Sequence, residues 1–120
     1  MMEEVRFWLK KGERDLDSAR FNLEGKRYDV AAFLSQQAAE KALKALYILK
    51  HKELWKIHDL VKLGEKLSAP NDILALCEKL TQHYITARYN IDAEYTESDV
   101  REAIDDSSKV IEWTKKKLKS

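Results

Sequence analysis

The stretch from Arg88 to Tyr95, RYNIDAEY, gathers a guanidinium, two phenols and two carboxylates into one short run. Arg88 presents a planar fork of donors suited to phosphate or carboxylate oxygens, and Glu94 and Tyr95 could move a proton beside it. Ile73, Cys77, Leu80, Tyr84 and Ile91 recur at helical spacing, and a turn of 100° per residue sets Arg88 about 50° from the centre of that stripe. A half-buried guanidinium needs an acceptor, because an unpaired buried charge is strongly destabilising. Two readings stay open: a structural salt bridge to an acid of another helix, or an anion or phosphate binder at a pocket mouth, with Tyr84 one turn before it.

A second constellation lies upstream. Gln36, Gln37, Glu40, Lys41 and Lys44 fall on one polar arc, with Phe33 and Tyr47 on the same side. As a solvated stripe it would be held by i,i+4 pairs, Gln37 with Lys41 and Glu40 with Lys44. As a site, Gln37, Glu40, Lys41 and Lys44 would line a groove or meet a partner subunit, since exposed aromatics beside mixed charge are a common interface composition. His58 and Asp59 open a short helix, where Asp59 suits the positive end of the dipole and could orient a neighbouring imidazole.

Other chemistries are absent from the pattern. His51, His58 and His83 show no metal-ligand spacing, and the scattered glycines build no phosphate-cradling loop, so neither a metal nor another cofactor is expected. Trp8, Trp55, Tyr84, Tyr89 and Tyr95 offer faces on which single-stranded bases could stack, though nothing in the order of residues groups them.

These residues need a scaffold, and composition points to helices. The chain has 120 residues, 3 glycines and 1 proline, with Ala, Leu, Lys and Glu prominent, which favours an all-α single domain over residues 1–120. Its 22 basic and 21 acidic residues give a net charge of +1, which argues against a nucleic-acid binder driven by bulk charge. The lone Cys77 excludes an intramolecular disulfide, and no apolar run is long enough to span a bilayer, so the expectation is a cytoplasmic protein away from membranes.

Periodicity predicts a helix from Glu3 to about Glu24 stopped by Gly25, and an alanine-rich central helix from Tyr28 to about Lys50. A short helix over His58–Leu67 follows, with Gly64 inside it marking close packing or weakness. A fourth helix, capped by Asn71 or Asp72 after Pro70, runs to about Tyr89. A last helix opens with Thr96 and Asp99 as an approximate capping box. The sum is an up-and-down antiparallel four-helix bundle with an additional short helix.

The order AAFLSQQAAEKALKAL, then HDL, then YITARYN resembles the HEPN domain family, specifically the branch encoded beside minimal nucleotidyltransferases, over nearly the whole chain. The resemblance implies a homodimer, a minimal nucleotidyltransferase as partner in a toxin–antitoxin-like pair, and nucleotide or RNA as ligand. Members of the wider family are often ribonucleases with an Arg followed, after four to six residues, by a His. Arg88 matches the Arg, whereas Ala93, Glu94 and Tyr95 stand where the His is expected. In a related branch a tyrosine beyond that His is modified by the partner enzyme, and Tyr95 matches it. His83, five residues before Arg88 and on another face, is a poor substitute for the missing imidazole. Ile57 stands where relatives often carry Thr, which removes the expected hydroxyl cap of the short helix.

The resulting expectation is a phosphate-binding partner protein. Its alternatives are an active ribonuclease using Arg88 with Glu94 or Tyr95, and a purely structural interaction bundle.

Overall fold

Helix α2 (Tyr28–His51) is apolar around so much of its circumference that it must be surrounded, and it contacts every other helix. The computed structural model describes residues 2–89 and 94–120, with backbone only at Arg88 and Tyr89. Around α2 stand α1 (Met2–Glu24), α3 (Leu60–Lys66), α4 (Asn71–Tyr89) and α5 (Glu97–Lys119). The four long helices form an up-and-down antiparallel bundle, and short α3 bridges α2 and α4. No strand occurs among the described residues, and no helix there is long and apolar enough to cross a membrane.

The core has two main parts. Leu43, Leu46, Leu60, Leu63, Leu80 and Val110 join α2, α3, α4 and α5, while Leu16, Ala19, Ala38, Ala42, Val100 and Ile111 join α1, α2 and α5. Within α4, Ile73, Cys77 and Leu80 are buried as the stripe predicts. Ile91 lies outside the described residues.

Helix ends differ from expectation in instructive ways. At the end of α1, Lys26 rather than Gly25 takes the left-handed conformation, with φ 61°. The Arg27 N–H donates to the Asn22 carbonyl at 2.8 Å and the Lys26 N–H to that of Leu23 at 3.0 Å, a Schellman closure built on a lysine. Lys52 and Ser68 close α2 and α3 in the same left-handed region, at φ 60° and 58°. A side chain there meets its own carbonyl oxygen. Lys26→Gly and Lys52→Gly are each expected to stabilise the fold by about 0.5–1 kcal/mol, read as a higher urea midpoint at unchanged slope.

The short helix begins at Leu60, two residues later than periodicity suggests. Asp59 is its N-cap, accepting from the N–H groups of Val61 at 2.9 Å and Lys62 at 3.3 Å. The hydroxyl cap absent at Ile57 is supplied from elsewhere, because Thr81 Oγ1 of α4 accepts the Leu60 N–H at 3.1 Å. Gly64 reflects close packing: a Cβ there would lie 2.8 Å from Leu74 Cδ2. The first backbone bond of α4 runs from Leu74 N–H to the Pro70 carbonyl, so Asn71 and Asp72 sit inside the first turn and cap nothing ahead of it.

The Thr96–Asp99 capping box is complete, with both reciprocal bonds at 3.0 and 3.1 Å. Tyr95 immediately precedes it and packs on the cluster containing Val100, the staple geometry that fixes how a chain enters a helix.

Candidate functional site

The polar arc of α2 is not a solvated stripe. Gln36, Glu40 and Lys44 follow one another a turn apart and are 0%, 3% and 5% exposed. They are buried because α2 is flanked on that side by the segment entering α3 and by α1, and they satisfy one another. Glu40 Oε2 accepts from Lys44 Nζ at 2.9 Å, and Oε1 accepts from Gln36 Nε2 at 3.2 Å and faces His58 Nδ1 at 3.0 Å. Gln36 Nε2 also donates to the His58 carbonyl at 3.2 Å, and Gln37 Nε2 donates to Gln36 Oε1 at 2.9 Å. Lys44 Nζ stands 5.9 Å above the Trp8 ring, a cation–π contact with α1.

The remaining members of the arc separate from this network. Lys41 pairs with Asp15 of α1 instead of Gln37. Tyr47 turns into the core, stacking on His51 at 4.3 Å and lying 5.5 Å from Trp55, whereas Phe33 lies 6.0 Å from Tyr84. A helical wheel gives angles without neighbours, so it could not separate these fates.

His58 is the outward end of the network. Its side chain is 54% exposed, and its ring stacks on Tyr84 at 4.7 Å and 15°. A carboxylate against Nδ1 places the proton there and leaves the Nε2 lone pair at the other end of the ring, the orienting arrangement that serves an acid–base imidazole. Asp59 belongs to the cap rather than to this ring. Arg88 follows Tyr84 by one turn of α4, and its side chain and Ala93 lie outside the described residues.

Tyr95 stands at a different corner, with a partner that spacing had set aside. His83 Nδ1 is 3.2 Å from Tyr95 Oη, with ring centroids 5.5 Å apart, and Thr86 makes a side-chain hydrogen bond to Tyr95. His83 and Thr86 are three residues apart on one face of α4, a turn beyond Lys79, which bridges Glu102 at 2.6 Å and Asp106 at 3.0 Å. Lys79, Gln82, His83, Tyr95, Asp99, Glu102 and Asp106 line a recess between α4 and the start of α5. Glu94 is exposed beside it.

Burial holds the His83 imidazole below its ordinary 6.5, against the upward pull of Asp106, Asp99 and Glu102. Burial likewise pushes the Tyr95 phenol above its ordinary 10, and the Thr86 bond draws it back down. The signal for this pair was in the sequence: the capping box pins Tyr95 at the foot of α5, and His83 and Thr86 share one face of α4 by spacing.

Two other groups carry little chemistry. Burial, aided by the charge of Asp59, pushes the Cys77 thiol up to about 12, far from a thiolate at neutral pH. Among the described residues, no three His, Cys, Asp or Glu side chains are placed so that they could hold a metal ion.

The arrangement has relatives. The chain is 30% identical over 139 aligned positions to a Methanocaldococcus jannaschii protein named "Putative toxin MJ1304", covering 96% of this chain and 88% of that one. The crystal structure of TT1696 from Thermus thermophilus superposes with a TM-score of 0.86 at 29% identity, covering 95% of this chain and 98% of that one. The crystal structure of ST0689, described as an archaeal HEPN homologue, gives 0.80 at 35% identity, covering 93% and 95%. The HEPN domain family model matches residues 5–118, nearly the full bundle, and the chain belongs to the HEPN domain family.

Proposed function

We propose that this chain binds nucleotide or RNA phosphate at the corner where Arg88 follows Tyr84, as the homodimeric member of a cytoplasmic toxin–antitoxin-like pair. Its partner is a minimal nucleotidyltransferase, and Tyr95 is the residue that the partner modifies. The observation that carries the binding reading is His58, exposed at its outer edge, anchored by buried Glu40 and stacked on Tyr84. Such a ring offers its Nε2 to a ribose hydroxyl and a face to a base without reorganising on contact, one turn of α4 from the position of the phosphate-binding Arg88. The toxin name of the Methanocaldococcus relative supports the pairing.

Arg88→Ala is expected to weaken binding of a labelled single-stranded RNA about 10- to 100-fold, the worth of one charge-assisted contact, and to flatten its salt dependence. Measured by anisotropy at two salt concentrations, equal affinity of wild type and variant rejects the site. Co-expression with a nucleotidyltransferase encoded next to this gene tests the partnership, and a monomer that ignores that enzyme rejects it.

A second reading is favoured by the same dyad. Glu40 and His58 place an oriented imidazole near α4, although Ala93 stands where the family's histidine is expected. Cleavage of labelled RNA that disappears in both His58→Ala and Arg88→Ala would establish a ribonuclease. Cleavage that survives both marks a contaminant.

A further inference from the structure

We propose that His83 is the general base that makes Tyr95 a nucleophile toward an electrophilic phosphorus, an inference that rests on Tyr95 being the modified residue. The geometry is that of an activated hydroxyl. His83 Nδ1 lies 3.2 Å from Tyr95 Oη, within reach of its proton, and the Thr86 side chain hydrogen-bonds the same phenol, which favours charge as it develops there. The pair sits in an open recess rather than in the core, so a reagent can reach the oxygen.

The charges around the pair define when it works. From α4, Lys79 faces it; from α5, Asp99, Glu102 and Asp106 do; from α2, Asp29 acts on the phenol, and Thr86 makes the direct contact with it. Lys79 is engaged by Glu102 and Asp106, which leaves burial as the dominant influence on the imidazole and keeps it a free base at neutral pH. In the transfer, Oη forms a bond to the α-phosphorus of a nucleoside triphosphate and the bond from that phosphorus to the bridging oxygen breaks. Pyrophosphate leaves with the bond electrons, and the phenolic proton passes to Nδ1 of His83.

The test uses the full chain and needs neither partner nor nucleotide. A fluorophosphonate reacts by the same attack, forming the oxygen–phosphorus bond and releasing fluoride, and mass spectrometry reads the labelling rate at each tyrosine. Tyr95 is expected to label about 10-fold faster than Tyr28, also half-buried, at pH 7.5, and His83→Gln to slow Tyr95 about 100-fold. Thr86→Val is expected to slow it about 10-fold, the worth of one donor to the developing charge.

The wild-type rate is expected to rise along a titration with its midpoint below 6.5 and then level. With His83→Gln the rate should instead climb about tenfold per pH unit with ionisation of the phenol, a change that a merely structural histidine would not produce. Equal rates at Tyr95 and Tyr28, or in wild type and a folded His83→Gln, overturn the proposal. So does a wild-type profile without the inflection, whatever the variants do. Failure here leaves the Arg88 binding experiment standing, and failure at Arg88 leaves the labelling result standing.

Discussion

Glu40→Ala is expected to destabilise the protein by about 3–5 kcal/mol, lowering the melting temperature by roughly 10–20 °C. The size follows from what the truncation strands. Lys44, 5% exposed, loses its carboxylate and keeps an ammonium in a site closed to water, and Gln36 loses an acceptor at full burial. His58 loses the oxygen that fixes its ring. Glu40→Gln keeps an acceptor for Lys44 while removing the charge, and should fall between wild type and Glu40→Ala. Replacing both ends of the pair, Glu40→Met with Lys44→Met, should cost far less than either end alone, because two well-filled apolar chains leave no orphaned charge. Urea unfolding followed by circular dichroism of the wild type, Glu40→Met, Lys44→Met and the double variant gives the coupling. A loss below about 1 kcal/mol for Glu40→Ala would mean that water reaches the pair and that His58 is not held from beneath.

The same residues show what a sequence can and cannot convey. Period and composition sufficed for the bundle, since apolar spacing on α1, α2 and α4 and the Thr96–Asp99 box act within a helix and are read along it. The polar arc of α2 failed as a surface stripe because burial depends on what stands opposite. Gln36, Glu40 and Lys44 face the start of α3 and Trp8 of α1, while Lys41, a quarter turn away, meets Asp15. His83 was set aside on its angle relative to Arg88, yet its partner, Tyr95, lies off α4, immediately before α5. Thr81 likewise caps α3 from α4, replacing a local hydroxyl by a distant one. Contacts that close between helices leave only weak traces in periodicity, and the candidate sites consist mostly of such contacts.

Gly12→Val is expected to be at least as damaging as the loss of Glu40, at about 3–5 kcal/mol, for a steric rather than electrostatic reason. A Cβ at position 12 would lie 2.8 Å from the Ala38 carbonyl oxygen and 3.2 Å from the Ala42 nitrogen, both backbone atoms of α2. No rotamer relieves a clash with backbone, so α1 must move off α2. Gly12→Ala gains about 1 kcal/mol of helix propensity and should still lose stability overall, by about 1–3 kcal/mol. Gly25 is the control: a Cβ there meets only carbonyl oxygens of its own helix at 3.6 and 3.8 Å, so Gly25→Ala should be nearly neutral. Thermal melts of the three variants test the contrast, and a neutral Gly12→Ala would show that the crossing can widen freely. Widening would not be silent at the site. The crossing that Gly12 sets also brings Asp15 to Lys41 and Trp8 to Lys44, and Lys44 holds the far side of the carboxylate that orients His58. A folded Gly12→Ala protein should therefore bind single-stranded RNA more weakly although the substitution lies on α1, away from Arg88, Tyr84 and His58.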